Sequence, residues 1–170
     1  SAIQASKPGV HVATASNEDI ISGAVNLSDY NTVIWILGTE STADHTFTAT
    51  EQTKVTNFIN AGGNLFLSGS EIGWDLDQQN NGRSFYESTL LANYVGDDAG
   101  TYTATANAGG IFAGMSSFVF SNGSAFSQLD GQLYDVAYPD VIAPQAGAVS
   151  ALTYSGGTGG TAAIQVQGTG

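Results

Sequence analysis

The chain has 170 residues, 42% of them hydrophobic, which is enough for one domain with its own core and too apolar for a disordered tail. Fifteen acidic residues against three basic ones give a formal net charge of −12, which repels phosphate backbones and anionic lipid, so no nucleic-acid partner and no membrane partner is expected. Cysteine is absent, which excludes disulfides, thiolate metal sites and a cysteine nucleophile.

Only 11% of residues are charged, so the polar surface is built from Ser, Thr, Asn, Gln and Gly. That composition, poor in lysine, points to an exported bacterial protein, secreted or held at the cell surface. No apolar run approaches the ~20 residues of a membrane span. Ser1 reads as a mature or trimmed start, with no signal peptide in view.

In chain order, Val10 to Ala13 alternates weakly and predicts a short strand. Ser16-Asn-Glu-Asp19 is a helix-start pattern, with Ile20 and Ile21 on the buried side. Asp29-Tyr-Asn31 is turn chemistry before Thr32 to Leu37, TVIWIL. That run has almost no polar alternation, as in a strand covered on both faces. After a polar loop, Thr48-Ala-Thr-Glu51 is a capping box, and Val55, Phe58 and Ile59 share one face of the helix that it starts. Ala61-Gly62-Gly63 ends that helix, and Asn64 to Leu67 is the next buried strand. Strand, helix and strand with short connections predict a βαβ unit with parallel neighbours. Its expected core is Val33, Ile34, Trp35, Ile36, Phe58, Ile59, Leu65 and Leu67.

Gly69-Ser-Glu-Ile-Gly73 follows, with the glycine spacing of a nucleophile elbow and Glu71 at its centre. Phe85, Tyr86, Leu90, Leu91 and Tyr94 then recur at helical spacing. From Gly96 onward Gly, Ala, Thr and Ser dominate. The short apolar runs at Ile111-Phe112, Phe118 to Phe120, Val149 to Tyr154 and Ala162 to Val166 predict short strands joined by turns, with Gly156 to Gly160 as a hairpin loop.

The run YNTVIWILGTESTADHTFTATEQTKVTNFINAGGNLFLSGSEIGWDL, and more loosely YPDVIAP and TAAIQV, resembles a domain of large secreted bacterial multidomain proteins. Those proteins are described as xanthan-lyase-like or amidase-like and carry fibronectin-type-III and golvesin-type neighbours. The resemblance implies a flavodoxin-like or class I glutamine-amidotransferase-like fold. The expectation is therefore a single α/β domain over residues 1–170, three-layered, with a mainly parallel sheet and shorter strands added by the second half. Domains of this kind usually carry one strand before Val10 and one beyond Ile164. The chain is thus expected to be a fragment lacking both, open to strand-sharing with another chain.

The chemistry of that family type needs a thiolate, and the only histidines, His11 and His45, both precede the elbow. The leading expectation is an accessory, non-catalytic module that binds carbohydrate or neighbouring protein modules, or spaces them. Its candidate ligand-binding residues are Glu40, Glu71, Trp74 and Asp75. The alternative is a hydrolase or lyase acting on polysaccharide or acylated sugar, with Glu71 and either Glu40 or Asp75 as the acid–base pair. A third reading is a structural protein that pairs through open sheet edges. No cofactor is required by the first reading; Ca2+ is the cation that loop carboxylates would take, with Asp75 and Asp77 as candidate ligands. The Asp97-Asp98 pair reads as turn chemistry unless a cation is found there.

Overall fold

The computed structural model describes residues 2–123 and 135–166. The βαβ unit forms: β1 (Thr32–Gly38), helix α3 (Ala49–Asn60) and β2 (Asn64–Gly69), with β1 and β2 parallel in the register Ile34 to Phe66 and Trp35 to Leu67. The capping box at Thr48 is present in both directions. The Glu51 carboxylate accepts from the Thr48 backbone N–H at 2.7 Å, and the Thr48 hydroxyl accepts from the Glu51 N–H at 3.4 Å. Ser16 and Asp19 make the same device at the start of α2 (Asn17–Ser22), which follows the short helix α1 (Ala2–Ser6).

The expected mainly parallel, three-layer sheet does not form. Among the described residues the parallel layer stops at two strands, and six further strands make a separate antiparallel sheet in the order β3-β6-β8-β7-β4-β5. These are β3 (Ala92–Gly96), β4 (Thr103–Ala106), β5 (Phe118–Val119), β6 (Val141–Pro144), β7 (Ala148–Tyr154) and β8 (Thr161–Val166). The physical reason lies in the connections. A parallel neighbour needs a crossover of a dozen or more residues, usually a helix; among the described residues after Gly96 no helix is formed, and β4–β5 and β7–β8 pair antiparallel as sequence neighbours. β7 and β8 pair around Gly156 to Gly160 as the sequence predicts.

Other expectations are corrected by the same geometry. Residues 10–13 form no strand, and His11, Val12 and Ala13 lie exposed, with nothing to bury that would drive pairing. The helical spacing through Tyr94 breaks early: α4 covers Arg83–Ser88, Leu91 takes a left-handed φ of 56°, and Tyr94 belongs to β3. Ile111 and Phe112 lie in a turn. TVIWIL is covered on one face only. Trp35 and Leu37 are buried against Phe47, Val55 and Phe58, whereas Ile34, Ile36 and Phe66 are 51%, 64% and 43% exposed. Ile34 and Ile36 therefore leave the expected core. Phe58 is in it, and Val33, Ile59, Leu65 and Leu67 pack partly buried around it. A second small core, around Ala99, Ala104, Val141, Leu152 and Tyr154, belongs to the antiparallel sheet.

Candidate functional site

The elbow has a structural explanation at both glycines. A Cβ at Gly69 would lie 2.9 Å from Leu37 Cβ, and one at Gly73 would lie 2.9 Å from the Tyr86 hydroxyl and 3.1 Å from Asp140 Oδ2. Gly73 thus lets a carboxylate from a distant part of the chain close onto the backbone. The chain then winds through a π-helical turn, Trp74–Gln78, in which the Gln79 N–H reaches the Trp74 carbonyl at 2.9 Å.

The carboxylate that approaches is Asp140, and strand pairing places it. β3 and β6 are antiparallel and end in the pair Gly96 to Val141, so Asp97 and Asp140 are the next residues beyond the ladder. The Ala99 N–H donates to the Pro139 carbonyl at 3.0 Å, and the Thr158 N–H from the β7–β8 hairpin donates to the Ala99 carbonyl at 2.8 Å. Those bonds hold the two loops together. Glu71 comes from the other layer, two residues past β2. One carboxylate oxygen from each of Glu71, Asp97 and Asp140 lies within 4.8 Å of the others. Asp140 is buried, Glu71 partly buried and Asp97 exposed, so the group opens to solvent on the Asp97 side.

Asp140 is 8% exposed. Its Oδ2 accepts from the Trp74 N–H at 2.9 Å, and its Oδ1 is buried without a hydrogen-bond partner among the described residues. Burial pushes its carboxyl up to about 8, against the lowering effect of the Trp74 and Gly73 N–H groups and with the help of Glu71 and Asp97. Glu71 is also raised, first by burial and then by Asp97, while a long 3.5 Å hydrogen bond from the Ser41 hydroxyl opposes the rise. The Tyr94 ring lies beside Gly73 and Asp140, with its Cδ2 3.2 Å from where a Gly73 Cβ would stand, and burial together with Asp140, Asp97 and Glu71 raises its hydroxyl to about 12. Trp74, partly exposed, meets Tyr94 edge-on at 6.0 Å. Three carboxylates with one orphaned buried oxygen can hold a metal ion.

The residues singled out by sequence fall into different places. Glu71 and Trp74 are at this site. Glu40 belongs to another acidic group: burial raises it first, followed by Glu51, Asp44 and Glu18. Asp75 is fully buried and occupied. Its Oδ2 accepts the Thr46 N–H at 2.8 Å and the Thr46 hydroxyl at 2.7 Å, and its Oδ1 accepts Asn81 Nδ2 at 2.6 Å, with His45 Nδ1 at 3.7 Å. Asp77 binds Arg83 Nε at 2.8 Å and the Tyr94 N–H at 2.8 Å. Both aspartates are consumed in holding the loop after the elbow. Asp140 was visible in the sequence only as part of YPDVIAP; its role depends on the β3–β6 register, which no local pattern encodes. No family model matches the chain, and no curated protein and no solved structure matches it either.

Proposed function

We propose that the chain is a non-catalytic accessory module of an exported bacterial protein, with a Ca2+ ion held by Glu71, Asp97 and Asp140. The observation that carries this is the buried Oδ1 of Asp140, which has no partner among the described residues and lies inside a group of three carboxylates. A buried polar atom without a partner is costly, and a cation supplies the partner. Oxygens within 4.8 Å of one another can be bridged by an ion with bonds of about 2.3–2.6 Å. All three ligands are hard oxygen donors, as Ca2+ prefers. The non-catalytic reading rests on the two partners expected for Glu71: both oxygens of Asp75 are taken by hydrogen bonds from Thr46 and Asn81, and the carboxylates acting on Glu40 are Glu51, Asp44 and Glu18. Calorimetric titration with Ca2+ and Mg2+ tests the cation. One site with Ca2+ preferred and lost in Asp97→Asn supports it; no heat and no thermal shift with Ca2+ overturns it.

A second reading concerns assembly. Among the described residues the parallel layer has two strands, and its outer face presents Ile34, Ile36 and Phe66. A cavity of about 340 Å3 runs along β1 towards Ala13 and Ser16. Parallel sheets are normally covered on both faces. This arrangement supports pairing with another chain over that layer, tested by the solution mass of the protein.

A further inference from the structure

We infer that the cation at Glu71, Asp97 and Asp140 is also a ligand-binding centre, which takes the vicinal hydroxyls of a neutral sugar while the Trp74 ring packs against the sugar's C–H face. This rests on the calcium reading of the same site.

Coordination number is the first argument. Ca2+ takes six to eight oxygens, and three side chains, one of them with an oxygen committed to the Trp74 N–H, leave positions unfilled. Those positions face outward, because Asp97 is exposed while Asp140 is buried behind the elbow. An outer oxygen ligand therefore has access.

Charge selects the ligand. Three carboxylates and one dication leave a local charge of about −1, on a chain of net charge −12. A uronate, sulfate or phosphate is repelled by that field. Adjacent hydroxyls are not, and two of them on one ring offer oxygens at a spacing that a large cation can bridge.

The aromatic wall supplies the apolar half of the recognition. The backbone of Trp74 is fixed to Asp140 at 2.9 Å, and its ring is braced edge-on by Tyr94 at 6.0 Å and 62°. It stays partly exposed, although Phe47, Phe85 and Tyr86 are taken into the core. A rigid aromatic side chain contributes contact area at little entropic cost.

The experiment uses the whole chain in affinity electrophoresis through mannan, a neutral polysaccharide, and through polygalacturonate, an anionic one, each with Ca2+ or with EDTA. Retardation by mannan with Ca2+ is expected, with none in EDTA and none for Asp97→Asn. Trp74→Ala should keep its calorimetric Ca2+ affinity, because the backbone N–H remains, and lose about tenfold in mannan affinity. Normal Ca2+ binding without retardation by mannan, or retardation that ignores Trp74→Ala or EDTA, overturns this inference and leaves the calcium reading standing. Stronger retention by polygalacturonate overturns the choice of a neutral ligand. Absence of Ca2+ binding removes both.

Discussion

The carboxylate of Asp140 and the backbone of Trp74 meet at 2.9 Å, although 66 positions separate them in the chain. This contact joins the antiparallel sheet to the turn that follows the parallel layer. It leaves Asp140 Oδ1 buried and, among the described residues, unpaired.

The first prediction is a pH dependence. Burial raises Asp140 from its ordinary 3.8 to about 8 in the folded chain. Between those values the folded state holds a proton that the unfolded state has released, so stability falls as pH rises. The contribution is fully present below about pH 4 and is lost as pH passes through about 8. Glu71 is raised as well and acts in the same direction. Cation-free protein should therefore melt at a lower temperature near pH 8 than near pH 4, about the limits of this window. Asp140→Asn should flatten that slope. Equal slopes for the two proteins would refute the assignment.

The second prediction is the recovery of stability by the cation. Ca2+ binds the deprotonated group, so its effect on melting should be larger at pH 8 than at pH 5, and binding at neutral pH should release protons measurable as a buffer-dependent heat. At a concentration of about 100 times Kd the stabilisation is about 2.7 kcal/mol, several degrees for a chain of this size. Gly73→Ala should remove most of this gain, since the new Cβ would stand 3.1 Å from Asp140 Oδ2 and 2.9 Å from the Tyr86 hydroxyl. A full Ca2+ response in Gly73→Ala would mean that Asp140 is not a ligand.

How far the sequence carried these conclusions can be seen residue by residue. Thr48 and Glu51 announced the helix between the parallel strands because a capping box is local, and it is there. Gly156 to Gly160 announced a hairpin for the same reason. Ile34 and Ile36 were misread because an apolar run does not reveal whether a layer exists to cover its second face. Asp97 was noted as a turn residue that a cation would reassign. Asp140 carried no signal of its own, because its neighbours Asp97, Gly73 and Glu71 are brought to it by the β3–β6 register and by the elbow. Asp75 and Asp77 looked like loop oxygens free for a cation. Their partners Thr46, Asn81, Arg83 and Tyr94 show only in three dimensions.

The third prediction concerns Asp75. Its buried carboxylate accepts the Thr46 N–H and the Thr46 hydroxyl in the core, and the amide of the exposed Asn81. Asp75→Ala leaves the Thr46 donors buried, and the loss should be about 2–4 kcal/mol by chemical denaturation, with Ca2+ affinity of the folded fraction unchanged. A loss of Ca2+ binding in a folded Asp75→Ala protein would place the cation nearer the π-helical turn than the triad.

The last prediction tests the bare outer face of the parallel layer. Ile36 is 64% exposed and Ile34 51%, on alternate positions of β1, while Trp35 and Leu37 between and beside them are buried. In an isolated chain such residues contribute little, so Ile36→Lys should change stability by less than about 0.5 kcal/mol. If the face is covered by a second copy, the wild type should sediment above its monomer mass of 17.4 kDa at high concentration, and Ile36→Lys should return it to the monomer. The lysine introduces a charge that cannot be buried there without a partner, so the effect should fall on association and not on folding. A wild type that stays monomeric at every concentration rules out the self-pairing form of the assembly reading. An Ile36→Lys protein that loses several kcal/mol as a monomer would show instead that the residue is covered by its own chain.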